Sequence, residues 1–495
     1  RLSVGLPINR DWFEIVMNVS SDDVNRALRH LPGFDPAKAP FTLDLAIERN
    51  GDTLQMDRVD IKLADARFSA RGPLNFGDRL ELSQLTLTAD VPSLARLGTV
   101  NGREFQDQAF GFDGVVSGDR GQLRIENAKI RLADSDMTGF VSYTTGQTPI
   151  LRMDVSSDRL IVKPLFVRDE PGNVQPVANR TRVIPDIAIP FDKLAAVDAY
   201  LQVRIDEFQR DRLYLRDVTL DADIEDGALE LRDLSFHARS GFLRAYGKLE
   251  PGDGIGRVQL GLLAENLAFG TNEANRSLKG RANIKVSLEA TGNDLRSLAG
   301  AATGVALFDI EGGAIPNNRL MQFFYGGVLE QILMTINPFI RSEDETTIEC
   351  IVVPAQVTDG QLTTDPAAYV RTDKINMTVK SEINLDNERL EMSIRSTPRK
   401  ALTISAAEIV NPYVKVIGTL AEPALAVDEK GALISGSAAV ATMGLSFLAK
   451  AAWDRLSRSP NPCKSARQDA SKALADRFPG IEPLEHLPVM HSSDD

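Results

Sequence analysis

Few side chains in this sequence combine a residue type and a spacing that could do chemistry. The four histidines are His30, His237, His486 and His491. His237 falls at a polar position of a predicted strand and the last two lie in a polar tail, so we interpret all four as solvated or hydrogen-bonded residues. The segment 221–227 is similar to a calcium loop, but its glycine stands at position seven instead of six. Position twelve is Arg232 instead of a glutamate, and we therefore predict a turn here.

The common catalytic and cofactor motifs are absent from the sequence. It contains no P-loop, no Gly-x-Gly-x-x-Gly and no His-Glu-x-x-His, and none of its 69 acidic residues forms a distinctive pair. Two cysteines, Cys350 and Cys463, exclude a disulfide-rich scaffold and a cysteine-based zinc site. We predict no enzyme activity, no metal and no cofactor. The net charge of -13 argues against nucleic acid as a partner.

The most informative feature is an apolar pattern that occurs five times, Leu-x-apolar-x-x-apolar-x-apolar-x-apolar. Alternation at period two is typical of a strand with one apolar face. In each copy the alternation slips by one residue at a polar pair, such as Asp57-Arg58 or Arg232-Asp233. The leading apolar positions of the five copies are Leu54, Met56, Val59, Ile61 and Leu63; Leu80, Leu82, Leu85 and Leu87; Leu123, Ile125, Ile130 and Leu132; Leu213, Leu215, Val218 and Leu220; and Leu229, Leu231, Leu234 and Phe236.

A slip in a flat strand would move half of the apolar side chains to the other face of the sheet. A bulge at the polar pair would instead keep them on one concave surface. This favours a long trough with an aliphatic lining, since aromatic residues make up only 6% of the chain. The core of an ordinary sandwich or barrel and the corner of a β-solenoid remain alternatives. The irregular intervals between copies, 26, 43, 90 and 16 residues, argue against a solenoid.

Apolar periodicity and proline content divide the chain into five predicted segments. Residues 1–165 form a repeated β-meander, 166–190 a proline-containing loop, and 191–300 a second meander. Residues 301–430 contain a helix at 317–337 followed by further strands, and 431–495 form a helical and then polar tail. Short helical caps are expected at 22–31 and 92–97. The uncharged stretch 431–449 is marginal in length and low in hydrophobicity for a membrane span, so we expect a helix packed through small residues.

The segment Arg182-Val183-Ile184-Pro185-Asp186-Ile187-Ala188-Ile189-Pro190-Phe191-Asp192 resembles the AsmA family of Gram-negative envelope proteins. The resemblance continues through residues 294–315, 349–360 and 418–423 and in the tail at 461–463. It implies a mainly β protein, an elongated and curled antiparallel meander with a taco-like open groove, a few short helices and a helical C-terminal tail. The apolar positions given above would line that groove.

The same resemblance implies a periplasmic protein anchored in the inner membrane, which carries phospholipid toward the outer membrane and contacts an outer-membrane or envelope protein. The chain opens with Arg1 in a strand-like stretch, so we expect the anchor to lie upstream of this sequence. An assembly factor whose groove binds client strands of outer-membrane proteins is the alternative. A glycan-acting enzyme would need stacking aromatics, and the chain has only Trp12 and Trp453 as tryptophans.

Two structural expectations depend on this assignment. An oxidising compartment favours a disulfide between Cys350 and Cys463, which would tie the tail helix to the C-terminal sheet; two unrelated buried thiols are the alternative. Apolar residues cover most of the surface of the predicted helix around 320–333, so we expect that helix to lie at one end of the groove.

Overall fold

The computed structural model describes residues 2–4, 12–24, 33–76, 80–167, 182–211, 213–238, 241–252, 255–269, 279–316, 345–373, 375–399, 413–426 and 459–477. The chain forms two compact units. Unit 1 comprises Arg1–Pro176 and Asp192–His237, and unit 2 comprises Val177–Phe191 and Ala238–Asp495. The boundary at residue 237 falls inside the predicted segment 191–300.

Unit 1 is built almost entirely of strands. Its strands are β1 (Leu2–Val4), β2 (Trp12–Ser21), β3 (Phe34–Pro36), β4 (Phe41–Asn50), β5 (Thr53–Leu63), β6 (Ala66–Phe76), β7 (Leu80–Val91), β8 (Gly98–Val100), β9 (Arg103–Glu104), β10 (Phe110–Gly118), β11 (Gln122–Leu132), β12 (Ser135–Thr144), β13 (Ile150–Ile161), β14 (Asp198–Arg210), β15 (Leu213–Glu225) and β16 (Ala228–Ala238). A 3-10 turn at Leu94–Arg96 follows β7, where the sequence predicts a cap. A four-residue helix, α1 (Phe191–Leu194), precedes β14.

Neighbouring strands of the main sheet of unit 1 follow one another along the chain. The order is β1, β2, β4, β5, β6, β7, β10, β11, β12, β13, β14, β15 and β16. All of these pairs are antiparallel except β13 with β14. A parallel pair needs a crossover connection, which brings the chain back to the end of the sheet where the first strand began. Residues 162–197 make that connection between β13 and β14. Strands β3, β8 and β9 form a separate 3-stranded sheet.

Unit 2 is also mainly β, with two helices among its described residues. Its strands are β17 (Gly241–Glu250), β18 (Gly256–Phe269), β19 (Lys279–Gly292), β20 (Thr303–Pro316), β21 (Glu345–Thr358), β22 (Gln361–Thr363), β23 (Ala368–Thr372), β24 (Ile375–Asn384), β25 (Arg389–Pro398), β26 (Tyr413–Thr419) and β27 (Pro423–Leu425). The helices are α2 (Leu295–Gly300) and α3 (Pro462–Arg477).

Strands of unit 2 also pair in chain order and antiparallel. β17 pairs with β18, β18 with β19, β19 with β20 and β20 with β21. β21 then pairs with both β22 and β23, which pair with β24, and β25, β26 and β27 follow. The predicted fold class is therefore confirmed: the protein is mainly β, mostly antiparallel, with few helices and a helix near the C-terminus.

Local sequence explains why these segments are strands and hairpins. In β2 the side chains of Phe13, Ile15, Met17 and Val19 are half-buried, whereas the intervening side chains are exposed. The predicted turn after β15 is confirmed, because Asp226 and Gly227 both have positive φ, 50° and 79°. Two such residues form the tight hairpin turn whose twist matches that of the flanking strands.

Three sequence expectations fall on residues outside the described ranges: the helices at 317–337 and 431–449 and most of the cap at 22–31. Within the described ranges, no helix combines the length and the apolar composition that crossing a membrane would require.

Candidate functional site

The five copies of the apolar pattern lie on five strands of unit 1. They occupy β5, β7, β11, β15 and β16, in the order of the copies along the chain. The side chain of Leu80, the first residue of the second copy, lies outside the described set, although its backbone pairs with Phe76.

Each slip in the pattern coincides with an irregularity in strand pairing. In β11, Ile125 lies opposite Val141 of β12 and Ala128 lies opposite Gly139, so that Glu126 and Asn127 face a single residue. This is a β-bulge. Register shifts also occur at 57–58 between β5 and β6, at 83–84 between β7 and β10, and at 217–218 and 232 between β15 and β16. The predicted bulges at the polar pairs are confirmed.

The residue types at the slips fit the backbone that a bulge requires. The second residue of the polar pair is in the left-handed region in three copies: Gln84 at φ 57°, Asn127 at 52° and Asp217 at 51°. Asn and Asp tolerate this conformation better than most residues, because their short polar side chains can bond to the local backbone. A further bulge in unit 2, at Glu265-Asn266 with Asn266 at φ 50°, was not predicted, although it carries the same polar-pair signal.

Pairing register shows that the apolar side chains of β11 share one face despite the bulge. Leu123, Ile125 and Ala128 lie opposite Tyr143, Val141 and Gly139, while Ile130 and Leu132 lie opposite Met137 and Ser135. These five residues of β12 are alternate positions of a strand that pairs regularly from Thr138 onward with β13. Alternate positions of a regular strand point to one side, and directly paired residues share that side.

The same reasoning extends this face across the main sheet of unit 1, and we name it the unit 1 face. Leu54, Met56, Val59, Ile61 and Leu63 lie opposite alternate residues of β6, and Leu82, Leu85 and Leu87 lie opposite alternate residues of β10. Val218 and Leu220 lie opposite Ile205 and Val203 of β14. Leu213 and Leu215, beyond the slip, lie opposite Arg210 and Phe208, which do not alternate with Val203 and Ile205, so the register does not assign these two leucines to the face. Leu229, Leu231 and Leu234 lie opposite Ile224, Ala222 and Leu220. Phe236 lies on β16 next to the bulge and is half-buried.

The unit 1 face is apolar but incompletely buried. Most of its side chains, including Met56, Ile61 and Ile130, are half-buried. Phe76, Leu123 and Tyr143 remain 46%, 43% and 41% exposed. Side chains in a closed protein core are almost fully removed from water. An extensive apolar surface that stays accessible is typical of a site that binds a protein, a membrane or an apolar ligand.

The two margins of the unit 1 face differ. At one end of the strands, Phe41, Leu63, Ala66 and Val91 are buried, in clusters that include Val24, Leu94 and Leu97 from the connecting segments. At the other end lie the exposed side chains of Phe76, Leu123 and Tyr143. Along β4 to β7, one margin of the face is therefore closed by protein and the other is open. At the first end of the strands farther along the sheet, Leu213 of β15 is 49% exposed.

The opposite face of the same sheet is polar and carries ion pairs. Arg204 of β14 lies 3.5 Å from Asp154 of β13. At the bulge in β16, Arg232 pairs with Asp223 and Asp221. The hydrogen bonds that Arg232 donates to these carboxylates raise the pKa of its guanidinium. The side chains of these ion pairs are partly exposed, so this side of the sheet is accessible to water.

In unit 2, helix α3 packs on the side of the sheet that carries Cys350 and Asp309. A disulfide joins Cys463 to Cys350 of β21, and Ala466 and Ala470 pack against Val352 and Tyr369. The Arg467 Nε atom donates to Asp309 Oδ2 at 2.6 Å, and its Nη2 atom lies 2.8 Å from Glu311 Oε1. Burial lowers the pKa of Arg467, but the two carboxylates outweigh that effect and raise it.

The segment with the motif Pro185-Asp-Ile-Ala-Ile-Pro190 is fastened to unit 2, and we name residues 182–191 the strap. Ile189 N donates to Asn293 O at 2.8 Å, and Leu295 N donates to Ile187 O at 3.0 Å. The buried carboxylate of Glu388 accepts from the backbone N–H groups of Val183 and Ile184 at 2.8 and 2.7 Å. The sequence predicts only a loop here, because the strap has no apolar period and its partners are about 100 and 200 residues away.

Residues considered for chemistry have structural roles where they are described. His237 lies on β16 with its Nδ1 atom 3.3 Å from Asp217 Oδ2, and segment 221–227 is the end of β15 with its hairpin turn. His30, His486 and His491 lie outside the described ranges. Among the described residues, no three His, Cys, Asp or Glu side chains form a group that could hold a metal ion.

Comparison with known proteins identifies one family. The model of the AsmA family matches residues 178–367, which include the strap and the strands from β14 to β22. The resemblance predicted from the sequence is therefore confirmed. No curated protein and no solved structure matches the chain significantly.

Proposed function

We propose, from the premise that the chain belongs to the AsmA family, that it is a bridge-like lipid transfer protein which conducts phospholipid along the apolar face of its sheet. The family points to an envelope-associated role in lipid transport or assembly. The observation that supports the conduit is the unit 1 face, which is continuous by register from β2 to β16 and incompletely buried.

The energetics favour movement along such a face over escape from it. Transfer of one methylene from an apolar surface to water costs about 0.8 kcal/mol, so an acyl chain of ~16 carbons would lose about 12 kcal/mol on leaving. A step along the face exchanges aliphatic contacts for similar aliphatic contacts. The barrier for sliding is therefore far smaller than the cost of release.

The two margins suggest how a lipid would be oriented. The face on β11 runs from Leu123 to Leu132, which at ~3.4 Å per residue is about 30 Å. One leaflet of a bilayer contributes about half of a ~30 Å hydrocarbon core, so an acyl chain fits within the width of the face. We propose that chains enter across the margin at Phe76, Leu123 and Tyr143, and that the headgroup stays in water outside it.

The cellular setting belongs to the same proposal. The protein would act in the periplasm between the inner and outer membranes. It would be attached to the inner membrane by an anchor and would bind an outer-membrane or envelope protein. It would be a carrier without catalysis or cofactor. The net charge of -13 is consistent with partners other than nucleic acid.

Native mass spectrometry of the purified chain tests the ligand class directly. We expect phospholipid to co-purify and to be released by organic extraction, since the exposed apolar face would otherwise meet water. Peptides bound in place of lipid would instead support the assembly factor that holds client strands. A chain that carries neither ligand and takes up no phospholipid from vesicles would refute the conduit.

A further inference from the structure

Unit 2 has an apolar face of its own, and its first strands are open. Leu260 of β18 and Phe308 of β20 lie on this face and are 41% and 40% exposed. Register connects them, since Leu260 lies opposite Leu288 of β19 and Phe308 lies opposite Ile284 of the same strand. Helix α3 does not cover this side, because its contacts Asp309 and Val352 lie on the other face of β20 and β21.

The face continues by register into the C-terminal strands. Ile310 of β20 pairs with Ile351 of β21, which pairs with Val370 of β23, which pairs with Met377 of β24. Val379 of β24 then pairs with Ile394 of β25, and Met392 pairs with Val416 of β26.

On these last strands the same face is buried. Ile375, Leu390, Ile394 and Val416 are 5%, 8%, 8% and 0% exposed. They form a single packed cluster, which we name the closed cluster, with Met377, Val379, Ile383, Met392 and Leu420. The cluster spans the width of the face on β24 and β25: its four buried side chains offer almost no surface to an acyl chain, and the five that pack against them are half-buried.

Polar groups within this region are also satisfied by the protein. Ser381 lies on the same face of β24 and is buried, and its Oγ atom is 3.2 Å from Thr364 Oγ1. The backbone N–H of Ser381 donates to the same Thr364 oxygen at 2.8 Å. Buried polar groups with partners are typical of a completed protein interior.

The strap holds the turn beside the closed cluster. Glu388, which directly precedes β25, binds Val183 and Ile184 with its carboxylate and accepts from Leu420 N with its backbone oxygen at 2.9 Å. Leu420 is itself part of the closed cluster. The strap therefore fastens the end of the face at which the apolar surface is buried.

We propose that the closed cluster is the terminus of the lipid track in unit 2. This rests on the proposed function: acyl chains bind along β17–β21 and stop before β24. A phospholipid then enters or leaves unit 2 sideways, over the exposed strands around Leu260 and Phe308, and does not pass out beyond β26.

Thiol labelling of the full chain tests this terminus, because both native cysteines are in the disulfide and an introduced cysteine is the sole free thiol. The variants are Phe308→Cys on the open part of the face and Val416→Cys in the closed cluster. Ile417→Cys is the matched control, since Ile417 is adjacent to Val416 on the polar side and is 40% exposed. Ile130→Cys reports on the unit 1 face. Each variant is labelled with a maleimide, with and without vesicles of phosphatidylglycerol.

Without lipid, we expect Val416→Cys to react at least about tenfold more slowly than Phe308→Cys and Ile417→Cys, because its labelling requires local opening. Vesicles should slow labelling at Phe308→Cys and Ile130→Cys and leave Val416→Cys and Ile417→Cys unchanged. Rapid labelling of Val416→Cys, or a change in its rate with lipid, would show that the track continues through β26. That result would contradict the proposed terminus but not the proposed function. If lipid protects neither Phe308→Cys nor Ile130→Cys, the proposed function itself fails.

Discussion

A single charge on the unit 1 face distinguishes an open lipid track from an enclosed core. Ile130 lies near the C-terminal end of β11, opposite Phe112 of β10 and Met137 of β12. It is half-buried, and Ile130→Asp places a carboxylate on the face between apolar neighbours. In an open track that carboxylate reaches water in the lipid-free protein, whereas in a filled core it does not.

The expected loss of stability is small because the site is only partly buried. Complete burial of an isoleucine side chain is worth about 1.5–3 kcal/mol, so half-burial puts the loss near ~1 kcal/mol. In a unit of roughly 200 residues that lowers Tm by about 2–4 °C. The same substitution in an enclosed core would cost upward of ~4 kcal/mol and would unfold the unit or lower its Tm several times as far.

The effect on lipid should be much larger than the effect on folding. A bound acyl chain would cover the new carboxylate, and removal of a polar group from water without a partner costs at least about 2 kcal/mol. Since ~1.4 kcal/mol is a factor of ten in affinity, lipid loading should fall more than about tenfold.

The assay is thermal melting together with uptake of fluorescent phospholipid from vesicles. Thr138→Asp is the matched control, because it adds the same charge to the exposed polar side of β12, opposite Lys129. We expect the control to keep both its Tm and its lipid loading. An unfolded Ile130→Asp variant would mean that the face is an enclosed core. A folded variant with normal lipid loading would mean that lipid does not move along this face.

Three further predictions concern the framework that holds these faces. Gly139→Ala should destabilise unit 1 by about 1–3 kcal/mol, because Gly139 has φ 150° and a Cβ atom there would lie 2.2 Å from the Asp154 carbonyl oxygen. Chemical denaturation measures this loss. Gly111→Ala is the control and should lower the free energy of unfolding less, because a Cβ atom at Gly111 would meet only the flexible end of the Arg131 side chain. Glu388→Ala should release the strap and speed hydrogen exchange at its first amides, and unchanged exchange would contradict the assigned role of the carboxylate. Burial raises the pKa of Glu349, but hydrogen bonds from two arginines outweigh it and hold the pKa below 4.5. The stabilisation from Glu349 is therefore present above about pH 4.5 and lost as the pH falls through the lowered value, and Glu349→Gln should flatten that part of the acid-unfolding curve.

Those parts of the structure that depend on neighbouring residues could be predicted from the sequence. Alternation identifies strands because it reports which side of one strand is apolar, and the polar pair at each slip identifies a bulge. The turn at Asp226-Gly227 is local in the same sense, since both residues tolerate positive φ. These signals are contained within about ten residues of the chain.

Features that depend on distant partners could not be predicted in this way. The strap has no periodicity, and its contacts with Asn293 and Glu388 arise only after two distant turns are in place. The parallel pairing of β13 with β14 depends on where residues 162–197 return, which no local pattern specifies. The burial of Val416 likewise depends on the packing of β24 to β26, because its own strand alternates like the open ones.

The bulges raise a question that the apolar pattern alone does not answer. A strand with one residue fewer, strictly alternating, would place Leu123, Ile125, Ala128, Ile130 and Leu132 on one face without any bulge. The extra residue at Asn127 is therefore not needed to orient these side chains. What a bulge adds is a local bend and a stronger right-handed twist, and an open sheet of many strands must coil or curl to remain stable. The repeated polar pair thus adds a bend and twist to its strand while the flanking leucines keep the face apolar, and both properties are encoded within the same ten residues.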